Sequence, residues 1–101
     1  MKVRYAPRAL RDVDEILAYI HARNPQGAAN VSLAIERTIG LCALTPAAGS
    51  KTNEHDLYRM PLGKYRYTIF YRVDLVRDVL EVARVIHGAR VKNLATLPDD
   101  D

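Results

Sequence analysis

Residues 65–73 read YRYTIFYRV, and their strict alternation limits what this chain can fold into more than any other feature. Tyr65, Tyr67, Ile69, Tyr71 and Val73 fall on one side of an extended segment, with Arg66, Thr68, Phe70 and Arg72 on the other. Such a strand buries one face and needs neighbours. Gly63 and Lys64 stand between Leu62 and Tyr65 as a two-residue turn in which glycine supplies positive φ, so residues 58–62 are expected to pair antiparallel with residues 65–72. After a polar break at residues 74–78, the run VLEVARVIH at 79–87 is rich in β-branched residues and apolar on both faces, which predicts a central third strand.

The rest of the chain has to cover that sheet. Residues 2–5 (KVRY) suit a short strand that needs an existing sheet to join. Ala6 and Pro7 then open a helix in which Leu10, Val13, Ile16, Leu17 and Ile20 recur at helical spacing. Asp12, Asp14 and Glu15 lie early in it and Arg23 late, as the helix dipole favours, and Asn24 with Pro25 marks its stop. Residues 27–44 form a second helix whose only charges are Glu36 and Arg37. Because it is apolar nearly all round, it is expected to be covered on two sides, between the first helix and the sheet, with Gly40 suited to a close helix crossing. Residues 47–55 read as a polar, mobile connection. The expectation is an α+β fold in the order β-α-α-β-β-β, a two-helix antiparallel hairpin packed on one face of a small, mostly antiparallel sheet. Residues 1–97 make one domain; 91–97 suit one or two helical turns, and 98–101 an acidic, disordered tail.

At 101 residues and 49% hydrophobic content the chain can bury one modest core without staples. Its single cysteine excludes an internal disulfide, and Cys42, in an apolar helical run, reads as a small buried hydrophobe. No apolar region follows the basic N-terminal residues, and no segment approaches the ~20 apolar residues of a membrane span. A cytoplasmic protein without membrane contact is expected. The net charge of +3 is unevenly spread: residues 59–92 hold eight Lys/Arg against three Asp/Glu, while residues 93–101 hold three aspartates and no cation. The positive field belongs to the sheet, where it suits either a solvated basic face or an acidic partner or nucleic acid.

His21, His55, His87 and Cys42 lie at no metal-ligand spacing, and no phosphate-binding glycine loop or nucleophile elbow occurs, so neither metal nor cofactor is expected. What remains is a set of cations on the strands: Arg59, Arg66, Arg72 and Arg84, with His87 at a strand end. These suit a phosphate or an acidic partner. Cleavage of RNA through its 2′-hydroxyl needs a base, an acid and cations over the phosphate, roles for which Glu81, His87, Arg66 and Arg84 are the available groups. Regular alternation gives Glu81 and His87 one strand parity and Arg84 the other. The edges at residues 2–5 and 58–62 are candidate docking surfaces.

Three stretches resemble the RelE/ParE superfamily of bacterial type II toxins, over nearly the whole chain. They are the pattern A-x-x-D-x-x-x-I-x-x-Y-I of the first helix (Ala9, Asp12, Ile16, Tyr19, Ile20), the hairpin G-x-Y-R (Gly63, Tyr65, Arg66), and the closing R-V-x-H-G-A-R from Arg84 to Arg90. The resemblance implies a helical hairpin on a mostly antiparallel sheet and a cognate antitoxin that wraps the toxin into a hetero-oligomer. RelE-like members cut mRNA on the ribosome with lysines, arginines and a late tyrosine; ParE-like members lack that set and inhibit DNA gyrase. This chain keeps Arg66 but has no tyrosine after His87 and no lysine cluster on its early strands, and its ending looks more like the ParE branch. The resemblance therefore implies a gyrase-inhibiting toxin of the plasmid- or chromosome-stabilising kind, acting by binding, with Arg59, Arg66, Arg72, Arg84, His87 and Arg90 as contacts to target or antitoxin. A ribosome-dependent mRNA endonuclease using Arg66, Arg84 and His87 is the alternative, and a degenerate toxin that only binds antitoxin is a third.

Overall fold

The structure, a computed structural model, describes residues 1–88. Arg90, the helical turns expected at 91–97 and the acidic tail at 98–101 lie outside the described residues. The elements run β1 (Lys2–Tyr5), α1 (Pro7–His21), α2 (Pro25–Leu44), a 3-10 turn (Pro46–Ala48), β2 (Ser50–Lys51), β3 (Leu57–Pro61), β4 (Tyr67–Asp74) and β5 (Val79–His87). One sheet takes them in the order β1-β5-β4-β3-β2; β1 pairs parallel with β5 and the other neighbours are antiparallel. The doubly apolar β5 is thus an interior strand, as its composition predicts. No helix among the described residues is long and apolar enough to cross a membrane.

The hairpin differs from the expected one by two residues. β3 and β4 pair with Pro61 opposite Thr68, and the Leu62 N–H reaches the Tyr67 carbonyl at 2.9 Å, so residues 63–66 make a four-residue connection. Within it the Tyr65 N–H closes on the Leu62 carbonyl at 3.1 Å, and Gly63 takes the positive φ of +59° that the turn demands. A shift of two preserves every side chain's face, because the strand period is also two. The core side of β4 is still Tyr67, Ile69, Tyr71 and Val73.

β5 does break parity. Phe70 pairs with Arg84 but Tyr71 pairs with Val82, leaving Ala83 as an extra residue, a β-bulge. Leu80 and Val82 before it and Val85 after it all enter the main core. Glu81 points to the sheet face away from the helices, where it pairs with Arg4 at 2.7 Å. His87 lies instead opposite Tyr67, their rings edge to face at 5.4 Å. The shared parity expected for Glu81 and His87 is therefore overturned.

Both helices lie on one face of the sheet. Ala9 from α1 and Val31, Ile35, Ile39 and Cys42 from α2 join Leu62, Ile69, Tyr71, Leu80, Val82 and Val85 in a single core. Leu57, Phe70, Ala83 and Ile86 form a smaller buried cluster. α1 packs against both α2 and β5, so α2 is not sandwiched between α1 and the sheet as its composition suggested. One stripe of α2 is buried, and Leu33, Leu41 and Leu44 on its other side are exposed. In α1 the stripe is turned slightly: Leu10 is exposed, and Asp12 is buried in the position an apolar residue would hold. Asn24 and Pro25, read above as a stop, also begin α2. The Asn24 side chain accepts the Gly27 N–H at 2.9 Å and proline sits in the first turn, where its missing N–H costs nothing.

Residues 47–55 are pinned, in contrast to the mobile connection expected. The buried Tyr71 hydroxyl donates to the Pro46 carbonyl at 2.6 Å and accepts the Gly49 N–H at 3.0 Å. Gly49 is required here, since a Cβ would stand 2.5 Å from that hydroxyl and 2.8 Å from the Arg59 carbonyl. Tyr58 stacks on Tyr71 with centroids 5.3 Å apart, and the Thr52 hydroxyl donates to the Leu57 carbonyl at 3.1 Å.

Burial pushes the Tyr71 phenol pKa up, the Gly49 N–H opposing this only in part. A raised phenol contributes stability that is complete below the ordinary value of ~10 and is lost as pH rises through the folded value. Tyr71→Phe should cost about 1–3 kcal/mol in urea unfolding at neutral pH, because two half-buried backbone groups lose their partner. Its stability should also fall less steeply than wild type above pH ~10.

Candidate partner-binding surface

Among the described residues, β5 has no strand beyond Val82 on the side that β1 flanks earlier, because the chain leaves β1 at Tyr5 and turns into α1. The Ala6 N–H still bonds the Val82 carbonyl at 2.9 Å. From there the strand edge is met by one side chain. Asp12 accepts the Val85 N–H at 3.0 Å and the Arg84 guanidinium at 2.8 Å through Nε and 3.2 Å through Nη2, with Arg8 Nε at 3.4 Å. Asp12 is 6% and Arg84 5% exposed. A carboxylate so buried is tolerable because its oxygens are saturated by charged and backbone donors.

This arrangement sorts the cations singled out in the sequence. Arg84 is turned toward α1 and consumed by Asp12, so it is not part of an exposed cationic face. Arg72 is half-buried on β4 and pairs with Glu54 at 3.2 Å. Arg59 on β3, opposite Phe70, and Arg66 in the β3–β4 connection are exposed and carry no ion pair among the described residues. The Arg66 carbonyl accepts the Gly88 N–H, which ties the end of β5 to the hairpin. His87 is exposed on the helix side, at the mouth of a groove of about 420 Å³ whose lining includes Arg8, Glu15, Tyr19 and Tyr67. Arg66 and His87 thus stand at the same end of the sheet, while Arg59 and Arg72 lie further along the face away from the helices, beside the buried Leu57 and Phe70. No group of histidine, cysteine and carboxylate residues among the described residues could hold a metal ion.

The sequence placed Asp12 early in α1, where the helix dipole favours an acid, and did not pair it with Arg84. A signal was present: an acid in register with Ala9 and Ile16 on an apolar helix stripe, and a lone arginine in an apolar strand, each make sense only if they meet. The 72-residue separation of the partners hid it.

Arg84→Ala should destabilise the chain by roughly 3–5 kcal/mol, since it leaves Asp12 buried without its main counter-charge. Arg59→Ala and Arg66→Ala should stay within about 0.5 kcal/mol of wild type. Chemical unfolding of the three variants reads the difference.

The ParE toxin family of type II toxin–antitoxin systems (parDE) matches residues 3–92. Y4kP, a candidate toxin of Sinorhizobium fredii, is 36% identical over 87 residues, covering 86% of this chain and 88% of that protein. Among solved structures, the fold is similar to a chain of the chromosomal ParDE system of P. aeruginosa, with a TM-score of 0.71 at 14% identity over 86% of this chain and 95% of that one. It is also similar to the isolated Escherichia coli RelE toxin, with a TM-score of 0.62 at 16% identity over 92% and 97% of the two chains. A chain of the RelBE2 toxin–antitoxin complex of Mycobacterium tuberculosis gives 0.56 at 22% identity over 85% and 95%. These structural likenesses carry the fold. Family match and relative together establish that this chain belongs to the ParE toxin family of the RelE/ParE superfamily.

Proposed function

We propose that this toxin acts by binding DNA gyrase and is neutralised by a cognate antitoxin. The observation that carries the choice of binding over RNA cleavage is the fate of Arg84. Transesterification at a 2′-hydroxyl needs base, acid and phosphate-binding cation around one point. Here Arg84 is buried against Asp12, Glu81 pairs with Arg4 on the face away from the helices, and His87 faces the helix side across the bulge. The groups with the right chemistry are thus divided between two faces of the sheet. Arg59 and Arg66, exposed and without ion pairs among the described residues, suit a contact surface whose loss is graded, not an all-or-none site. The P. aeruginosa and M. tuberculosis relatives come from a ParDE system and from a RelBE2 toxin–antitoxin complex, which favours an antitoxin partner for this chain as well.

Toxin freed of antitoxin, added in parallel to gyrase supercoiling reactions and to translating ribosomes, tests the reading. Trapped DNA cleavage with intact mRNA is expected, weakened stepwise by Arg59→Ala and Arg66→Ala. Codon-phased mRNA cuts that vanish with Arg66→Ala or His87→Gln would overturn it in favour of the endonuclease. Silence in both assays together with tight antitoxin binding would identify a degenerate toxin.

A further inference from the structure

We propose that the groove between α2 and the β3–β4 connection, with Arg37 and Lys64 on its walls and Arg66 just beyond it, takes backbone phosphates of duplex DNA, so that the toxin touches the DNA held by gyrase as well as the enzyme. The part played by gyrase rests on the reading above; the site itself does not. The groove has a volume of about 540 Å³ and brings Asn30, Arg37 and Thr38 of α2 opposite Lys64 and Tyr65 of the connection, with the buried Leu62 also in its lining. Arg37 and Lys64 are exposed, and neither has an ion pair among the described residues. No carboxylate is among the lining residues. Two like charges on a partly apolar groove focus a positive potential within it. Lys64 Nζ stands 5.5 Å from the centre of the Tyr65 ring, which holds the ammonium beside the groove wall. Thr38 and Tyr65 add hydroxyls, and Asn30, whose Oδ1 already accepts Gln26 Nε2 at 3.0 Å, adds an amide donor.

The acids of the neighbouring elements are turned elsewhere. Glu36 is exposed and precedes Arg37, but at ~100° per residue it projects from another side of α2. It lies close to the Tyr5 phenol of β1, where its charge, second to burial, raises that group's pKa. β1 is separated from β3 by both β5 and β4. Glu15 lines the other groove, beside His87, while Glu54 and Asp56 precede Leu57 at the end of β3 remote from the connection.

The layout of the cations selects the ligand. Arg66, two residues beyond Lys64 in the same connection, is also exposed and without an ion pair among the described residues. Arg37, Lys64 and Arg66 therefore mark a path around one end of the sheet, not a cage around one anion. Asn30, Leu33, Arg37 and Lys64 are all exposed along the groove, so a small phosphate compound would keep most of its surface in water, whereas a polymer can pass through. Arginine, lysine, hydroxyl and amide donors together are the set that contacts nucleic-acid phosphates. An acidic protein segment would also need an apolar surface to bury, and Leu33 is the one exposed apolar side chain in this lining.

Anisotropy of a labelled duplex of random sequence, titrated without gyrase with toxin freed of antitoxin at several salt concentrations, tests the site. Wild type should bind with a Kd of about 10⁻⁴ to 10⁻⁶ M at physiological salt. The slope of log binding constant against log salt should become shallower by about 0.9 in Arg37→Gln and in Lys64→Gln, and by about 1.8 in the double variant. Arg77→Gln, which removes an equal charge at the exposed β4–β5 turn, should keep the wild-type slope. Thermal unfolding of the variants should match wild type, since all three positions are exposed. No duplex binding by wild type, equal losses in all three single variants, or tighter binding of single-stranded RNA than of duplex would overturn the site. In supercoiling reactions the double variant should trap less cleaved DNA than wild type; full trapping would overturn the contact with gyrase-held DNA while leaving the gyrase reading intact. Duplex binding that maps to the groove, with wild-type toxin inert on gyrase, would support the site and overturn the gyrase reading alone.

Discussion

One carboxylate decides how the two layers of this fold meet. β1 flanks β5 only as far as Val82, and the chain must then leave the sheet to make α1, so the backbone of β5 beyond the bulge would face the interior without a partner. A buried, unpaired N–H at Val85 would cost of order 1–3 kcal/mol. Asp12 supplies the missing acceptor, and its charge is balanced by Arg84 from the same bulged strand and Arg8 from one helical turn earlier. The side chain does the work of a strand at the point where a strand ends. It also fixes the position of α1 over β5, because a bidentate carboxylate–guanidinium pair permits little sliding.

Tyr71 plays the equivalent part at the other side of the core. Its hydroxyl gathers the Pro46 carbonyl and the Gly49 N–H, holding the segment that leaves α2 close enough for Ser50 and Lys51 to pair with β3. These two polar contacts sit at opposite sides of an otherwise apolar core and convert a layer of helices on a sheet, which apolar burial alone would allow to shift, into one arrangement.

Function is a separate matter from this architecture, because similar folds in this superfamily belong both to a ParDE system and to a RelE toxin. What bears on function is which cations the scaffold leaves outside. Arg84 serves the interior, Arg72 and Arg4 pair with glutamates, and Arg59, Arg66, Arg37 and Lys64 remain at the surface. On the binding reading proposed above, these separated surface cations are what an acidic partner would meet.

Much of this was legible in the chain itself. The alternation at residues 65–73, the doubly apolar run at 79–87 and the helical spacing of Val13, Ile16 and Ile20 determined the main elements and their order, because each is a periodicity set by local backbone geometry; the two-residue β2, inside a stretch read as a loop, is too short to show one. The four-residue hairpin connection escaped, since a slip of two leaves every face unchanged and so leaves no trace in the pattern. The bulge at Ala83 escaped as well: it reverses the parity of everything after it, and the carboxylate that meets the strand beyond it, Asp12, lies on another element. α2 looked as though it required two covers, yet composition cannot say which apolar face a chain keeps for itself. The sequence by itself determined the strands, the helices, the basic character of the sheet and the family. Only the tertiary structure decided that Arg84 is internal, that His87 and Glu81 part company, and that one side of α2 stays open. Those outcomes depend on which distant groups meet, and meeting is a property of packing, not of spacing along the chain.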